Sequence, residues 1–264
     1  MSVRKLFFVL LALALTAVGC TDANPGDTTT TTATPSTNTD AVGGGSDPAV
    51  EPLIAAEFRQ FVNDVGWAMI RRSPEDMTDL GLDRLTSERI DGLTDLSAAS
   101  HRDTVSMARE ALARLNTLDT SALDHDDAVT EIVLRWYLQD IVDMAPYRLH
   151  DSPVNFITGA HANFPEFMAD IHPVDSLDSA EAYIARIDAA GDQMSQVAAN
   201  LEAAARQGLT PTQRGIDIAG WQVNNVINGG LPHPLVSDFE ARLEQVDSIS
   251  ESARRQLVSA AAVA

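Results

Sequence analysis

The strongest indication of fold class in this chain is the segment DSAEAYIARIDAAGDQMSQVAANLEAAARQG, residues 178–208. Its alanines and unbranched side chains favour one long helix from Ala180 to Arg206. Asp178 with Glu181 predicts a capping box at its start, and Gly208 predicts its end. The predicted inner stripe consists of apolar residues at helical spacing: Ile184, Ile187, Met194, Val197 and Leu201.

Helix signals continue on both sides of this stretch. Ser73 before Pro74 predicts an N-cap and a first helical position, and Thr210 and Ser237 predict two further caps. The run from Asp126 to Met144 carries apolar residues along a helical period: Val129, Ile132, Val133, Trp136, Tyr137 and Ile141. Strand signals are scarce. The chain is therefore predicted to be all-α, a multi-helix, bundle-like domain over residues 51–264.

The last predicted helix runs from Phe239 to the end of the sequence without a stop signal. Its apolar stripe consists of Leu243, Val246, Ile249, Leu257 and Val258. We expect the domain to be truncated and part of this stripe to stay exposed, together with apolar surface on Trp221 to Ile227. Marginal stability, self-association or dependence on a second chain would follow.

Three tryptophans, Trp67, Trp136 and Trp221, are each flanked by aliphatic residues at helical spacing. We predict that they lie in the core, with ligand stacking as the alternative.

The N-terminal sequence indicates export. Arg4 and Lys5 precede an apolar run that is too short to span a bilayer, and small residues lead to Cys20, the only cysteine. Residues 1–19 resemble a bacterial lipoprotein signal peptide. In that class the signal is cut before the cysteine, so Cys20 is the expected lipid attachment site and mature N-terminus. Ala17 departs from the leucine common in such signals, and an ordinary secretory signal is the alternative.

Residues 20–50 have a different composition from the rest. A threonine run at Thr28 to Thr32 and the Gly43 to Ser46 segment accompany an almost complete lack of apolar residues. Such a segment cannot bury enough surface to offset its ordering entropy. We predict a disordered tether with a reach of about 30 Å.

Charge restricts the classes of partner. The chain has 18 basic and 38 acidic residues and a formal net charge of −20. Because this field repels phosphates, nucleic acid is not expected as a partner, and contact with the membrane should come from the lipid. The acidity also suits cationic or metal-bearing ligands, but a solvated acidic surface that keeps the protein soluble is the preferred explanation.

Motifs for chemistry are few. The sequence contains no His-Glu-x-x-His, no Gly-x-Ser-x-Gly and, with Cys20 lipidated, no free cysteine nucleophile. His150, His161 and His172 recur every eleven residues, but intervening prolines argue against a shared metal-binding face. The acidic run Asp124 to Asp127 lacks the glycine and glutamate of a calcium loop, so it is interpreted as the first turn of a helix. No catalytic, cofactor-binding or metal-binding residue is predicted in this chain.

The order of several segments resembles the N-terminal half of the bacterial family called domain of unknown function 885 (DUF885). The similarity extends from about Phe58 to Ala262. It is carried by the segments 73–75, 80–82, 93–97, 147–149, 163–165, 172–173, 178–186 and 207–211, together with the leucines at 112, 115, 118 and 123.

The resemblance implies an all-helical fold related to zinc-dependent peptidases of the His-Glu-x-x-His type, often exported and lipid-anchored. In that family the zinc-binding helix lies in the C-terminal half, so zinc is expected only outside this chain. Two hypotheses remain. The chain is either an inactive, non-catalytic half of a peptidase-like hydrolase, or a stand-alone helical module that binds peptides or cell-envelope components.

Overall fold

The structure is a computed structural model that describes residues 51–86, 88–121, 123–229 and 233–264. The predicted signal peptide at 1–19, the lipid attachment site Cys20 and the tether at 20–50 lie outside the described residues, so they stay predictions. No helix within the described part of the chain is both long enough and apolar enough to cross a membrane.

The described residues form nine α-helices and no strand, which confirms the predicted all-α class. A π-helical turn, Phe167–Ile171, continues directly from α5, and short 3-10 turns occur at Leu82–Leu85 and Ala145–Tyr147. The helices are α1 Glu51–Ile70, α2 Pro74–Asp79, α3 Ala98–Leu115, α4 His125–Met144, α5 Ala160–Glu166, α6 Leu177–Arg206, α7 Gln213–Ile227, α8 Pro234–Leu243 and α9 Glu251–Ala261.

The described residues divide into two compact units, one formed by residues 51–66 with Ala113–Tyr137 and one by Trp67–Leu112 with Leu138–Ala264. In the first unit, apolar side chains from α1, α3 and α4 are buried: Phe58, Val62, Leu115, Leu134 and Tyr137. The Arg59 side chain contacts Asp124 and Asp127 at the start of α4, with Nη2 2.9 Å from a carboxylate oxygen of each.

The second unit is centred on α6, which is 30 residues long. Its capping box is formed by Ser176 and Ser179, not by Asp178 and Glu181 as predicted. The Ser176 hydroxyl accepts from the amide of Ser179, and the Ser179 hydroxyl accepts from the amide of Ser176. Asp178 instead lies in the first turn, where its charge complements the helix dipole.

The predicted end of α6 is confirmed. Gly208 has a φ of +75°, and its amide donates to Ala205 while the amide of Leu209 donates to Ala204. These two bonds form a Schellman motif, which needs a left-handed residue at the position of Gly208.

The buried face of α6 differs from the prediction. Of the predicted stripe only Val197 is buried, and the other four residues are half-buried. The buried positions are Ala180, Ala182, Tyr183, Arg186, Gln193, Val197 and Ala204. The small residues let neighbouring segments approach the helix closely. The long polar side chains of Arg186 and Gln193 are buried because they have hydrogen-bond partners, which are described below.

The C-terminal residues form two helices instead of the single one predicted. His233 caps α8 by accepting from the amide of Leu235, with Pro234 at the first position, so the predicted cap at Ser237 is wrong. Ser250 caps α9. Because the chain turns between these helices, Leu243, Val246, Ile249 and Leu257 all join the core, and Val258 packs against it. The expectation that part of this stripe stays exposed is therefore wrong, since four of its residues are buried and Val258 is half-buried.

Helix α7 presents apolar residues to solvent, as predicted for Trp221 to Ile227. The helix begins after Thr212, not Thr210, because the Thr212 hydroxyl accepts from the amide of Gly215 at 3.2 Å. Within it only Ala219 is buried, and the exposed large side chains are Ile216, Trp221 and Ile227.

The prediction that the tryptophans are core residues is wrong for two of them. Trp136 is 54% exposed and Trp221 is 66% exposed. Trp67 is half-buried, and its ring centroid lies 5.4 Å from the guanidinium carbon of Arg71. Periodicity locates these residues on helices, but it does not tell which apolar face is covered.

Candidate functional site

The polar face of α6 holds a segment without regular secondary structure, residues 88–97, which we call the strap. Residue 87 is outside the described residues, and α3 begins one residue after the strap. Four side chains of α6 contact the backbone of the strap: Arg186, Gln193, Gln196 and Asn200. Their spacing of seven, three and four residues places them along one side of the helix.

Arg186 is the most deeply buried member of this face, with only 1% of its surface exposed. Its Nε donates to the carbonyl of Gly92 at 3.1 Å, and Nη2 donates to the carbonyl of Ile90 at 3.0 Å and to Thr78 Oγ1 at 2.8 Å. The guanidinium also lies 5.0 Å from the ring centroid of Phe167. Burial lowers the pKa of Arg186, and nearby carboxylates led by Glu75 oppose that shift.

The remaining contacts follow the strap at alternate residues. Gln193 Nε2 donates to the carbonyl of Thr94 at 3.0 Å. Leu96 is held at both its backbone groups: its amide donates to Gln196 Oε1 at 2.7 Å, and its carbonyl accepts from Asn200 Nδ2 at 2.8 Å. Glu75 completes the arrangement, because its Oε2 accepts from the amide and the hydroxyl of Thr94 at 2.8 and 2.6 Å.

This arrangement binds a backbone and does not activate a reacting group. The helix contacts carbonyls and an amide of Ile90, Gly92, Thr94 and Leu96, so the identity of those side chains matters little to α6. Sequence analysis missed the four α6 residues. The signal that could have found them is a row of long polar residues at helical spacing within a helix otherwise rich in alanine.

The three histidines at eleven-residue spacing have separate surroundings. His161 Nε2 lies 3.1 Å from Gln222 Oε1, while exposed His150 meets the ring of Tyr147 edge to face at 5.4 Å. The buried His172 donates from Nδ1 to the carbonyl of Pro173 at 2.7 Å. Within the described ranges, no three His, Cys, Asp or Glu side chains are grouped so that they could hold a metal ion.

The acidic run at the start of α4 forms a helix terminus, as predicted. Asp124 Oδ1 accepts from the amide of Asp127 at 2.8 Å, and Asp126 and Asp127 lie in the first turn. The Asp127 amide lowers the pKa of Asp124, and Arg59 lowers it further. The hydrogen bond to Asp127 in turn raises the pKa of Arg59.

Comparison with known protein families gives one match. The family described as "Bacterial protein of unknown function (DUF885)" matches residues 74–264. The chain belongs to the DUF885 family. The matched range includes α6, the strap and Glu75, so the DUF885 domain contains every residue of the polar face described above. No curated protein matches the chain.

A solved structure is similar to this DUF885 chain. It is the crystal structure of a protein of Colwellia psychrerythraea named a "putative lipoprotein", with a TM-score of 0.69 and 16% sequence identity. The similarity covers 81% of the DUF885 chain and 38% of the Colwellia chain, so the DUF885 chain spans less than half of that protein's length. At this identity the likeness shows a shared fold.

Proposed function

We propose that this chain is an exported lipoprotein whose helical domain is a non-catalytic part of a zinc-dependent, peptidase-like hydrolase and is inactive by itself. Two observations support the lipoprotein assignment: the position of Cys20 after a short apolar run, and the name of the structurally similar Colwellia protein. The proposed location is the outer side of the cell membrane, with the lipid as the link to it.

The contacts of the histidine side chains support the proposal that the domain is non-catalytic. A catalytic zinc needs neutral imidazoles whose free nitrogens converge on one point. Here His161 contacts Gln222, His172 lies between the rings of Phe167 and Tyr183, and His233 caps α8, and within the described residues no three potential ligands are grouped around one point. These imidazoles support packing and helix ends, so zinc is expected on protein outside the described residues.

The apolar surface of α7 supports a role within a larger assembly. Ile216 and Ile227 are eleven residues apart and share one side of the helix, whereas Trp221 is about 120–140° around the helix from them, so exposed apolar side chains occur on more than one side of α7. The fold accounts for only 38% of the Colwellia chain. We propose that further polypeptide of a peptidase-like protein covers α7, and that a second copy of this chain covers it when that polypeptide is absent.

Metal analysis combined with a peptidase assay tests this function. The purified chain, incubated with zinc and then dialysed, should retain far less than one zinc per molecule and should not cleave a mixed peptide library. One tightly held zinc per chain, together with peptide hydrolysis that a chelator abolishes, would overturn the proposal.

The strap favours a second candidate function, a stand-alone module that binds peptides or envelope components without turnover. The α6 face already binds the backbone of a non-helical segment at alternate residues. Such contacts accept many sequences, so a peptide that displaces the strap would meet the same α6 side chains. Saturable binding of labelled peptides, competed by a synthetic peptide of residues 88–97 and unaccompanied by cleavage, would favour this module over the hydrolase part.

A further inference from the structure

His172 occupies a buried position between two aromatic rings. Only 1% of the residue is exposed, and its imidazole meets the rings of Phe167 and Tyr183 edge to face at 5.9 and 5.2 Å. Its amide donates to the carbonyl of Phe167 at 2.8 Å, which closes the π-helical turn. Since Nδ1 donates to Pro173, the neutral ring carries its proton there, and Nε2 has no hydrogen-bond partner among the described residues.

The charged groups nearest to this imidazole are cations. Arg186 approaches from α6 and Arg242 from α8, and both disfavour a positive charge on the ring. Asp238, also on α8, is paired with Arg242 at 3.3 Å, and Tyr183 on α6 is a neutral phenol. Glu166 and Asp170, on the segment that leads to His172, are exposed to solvent.

His172 also takes part in attaching α8 to the rest of the second unit. Arg242 Nη1 donates to the carbonyls of Met168 and Ala169 at 3.0 and 3.3 Å, and Nη2 donates to the carbonyl of His172. From α6, the Tyr183 hydroxyl donates to the carbonyl of Leu235 at 3.0 Å, and the Tyr183 ring stacks on Phe239 at 4.5 Å. Helix α8 is thus held by groups that surround the imidazole.

We propose that His172 and Arg242 form an acid-sensitive latch: protonation of the buried imidazole adds a third cation beside Arg186 and Arg242 and releases α8 and α9 from the π-helical turn and α6. A protonated ring would also have to place a second N–H donor, at Nε2, where the described residues offer no acceptor. The latch does not depend on which of the two functions above the domain has.

The direction of the pH effect follows from the two protonation states. Burial, followed by the charge of Arg186, lowers the pKa of His172 in the folded protein to about 4 from the ordinary 6.5. Between these values the unfolded or released state binds a proton that the closed state does not. The latch is therefore fully closed above pH 6.5. As the pH falls towards 4, the equilibrium constant for closing the latch decreases by up to about 300-fold.

Hydrogen–deuterium exchange of the full chain between pH 7 and pH 4, corrected for the intrinsic exchange rates, tests the latch. The informative variant is His172→Asn, whose amide can still donate to Pro173 but does not titrate, and His150→Asn is the exposed control. In the wild type and in His150→Asn, amides of α8 and α9 should lose protection more steeply below pH 6.5 than those of α3. In His172→Asn this extra loss should disappear.

An unchanged pH profile for α8 and α9 in His172→Asn would overturn the latch. If that variant does not fold, an NMR titration of the wild-type imidazole decides instead. A ring that stays neutral, with its proton on Nδ1, until the pH approaches 4 supports the proposal. A ring that titrates near 6.5 in the folded protein contradicts it.

Discussion

Arg186 Nε donates to the carbonyl oxygen of Gly92, which lies 94 residues earlier in the chain. This hydrogen bond joins the middle of α6 to the strap, and the same guanidinium also binds Ile90 and Thr78. A buried cation surrounded by neutral oxygens keeps its charge solvated only while all of those segments stay in place. Arg186 therefore makes the packing of α2, the strap and α6 interdependent.

Replacing Arg186 with methionine should destabilise the second unit strongly. Methionine preserves much of the volume but leaves the carbonyls of Gly92 and Ile90 and the Thr78 hydroxyl without this donor. We expect the free energy of unfolding to fall by about 2–5 kcal/mol. Urea denaturation followed by circular dichroism measures this change.

The matched control is Arg206→Met at the exposed end of the same helix. Its ion pair with Glu202 is solvent-exposed at 3.7 Å, so the expected change is below about 0.5 kcal/mol. Equal urea midpoints for the two variants would refute the role assigned to Arg186.

Two glycine substitutions should change the stability of the protein in opposite directions. A Cβ at Gly159 would lie 2.5 Å from the carbonyl oxygen of Asn155 and 2.6 Å from the ring of His161. We expect Gly159→Ala to destabilise the protein by about 1–3 kcal/mol through this overlap. A Cβ at Gly191, within α6, meets no atom within 4 Å, so Gly191→Ala should stabilise by about 0.5–1 kcal/mol.

Thermal unfolding measures the stability of each glycine variant relative to the wild type. Both substitutions add one methyl group, so a difference in sign reports the local surroundings and not the chemistry of the change. A Gly159→Ala variant as stable as the wild type would show that the loop around Asn155 and His161 adjusts without cost.

Trp221 should promote self-association of residues 51–264 expressed alone. Its ring is 66% exposed on a helix that also exposes Ile216 and Ile227. Trp221→Gln should therefore lower dimer formation and hydrophobic-dye binding while changing the free energy of unfolding by less than about 0.5 kcal/mol. Sedimentation velocity over a range of concentrations measures the association.

Leu85→Gln is the control, because that leucine is 70% exposed on the 3-10 turn Leu82–Leu85, outside α7. A strictly monomeric wild-type domain that unfolds cooperatively and does not bind the dye would remove the need for a covering partner. That result would favour the stand-alone binding module.

Replacing Cys20 with serine should abolish lipid labelling and membrane retention. The serine hydroxyl cannot form the thioether to diacylglycerol that the lipoprotein class requires, and the overall negative charge offers no electrostatic substitute. Metabolic labelling with a fatty acid and fractionation of cells measure both effects, with Thr21→Ser as the control. A Cys20→Ser chain that still fractionates with membranes would contradict the lipid attachment.

The helical class, most helix positions and the end of α6 at Gly208 could be predicted from local sequence. These features depend on nearest neighbours: alanine propensity, a left-handed glycine and periodic apolar residues act within a few residues of each other. The acidic first turn of α4 was predictable for the same reason. Caps were predicted less precisely, because Ser176, Thr212 and His233 compete with other polar residues two to four positions away.

Local sequence did not predict which surfaces are covered or which polar groups meet, because both depend on how the helices pack. Trp136 and Trp221 share the helical period of core residues yet face solvent, whereas Leu243 and Leu257 are buried because the chain turns between α8 and α9. The partners of Arg186 and the surroundings of His172 come from residues far apart in sequence. Burial and hydrogen-bond satisfaction are properties of such distant neighbours, and local sequence patterns do not encode them.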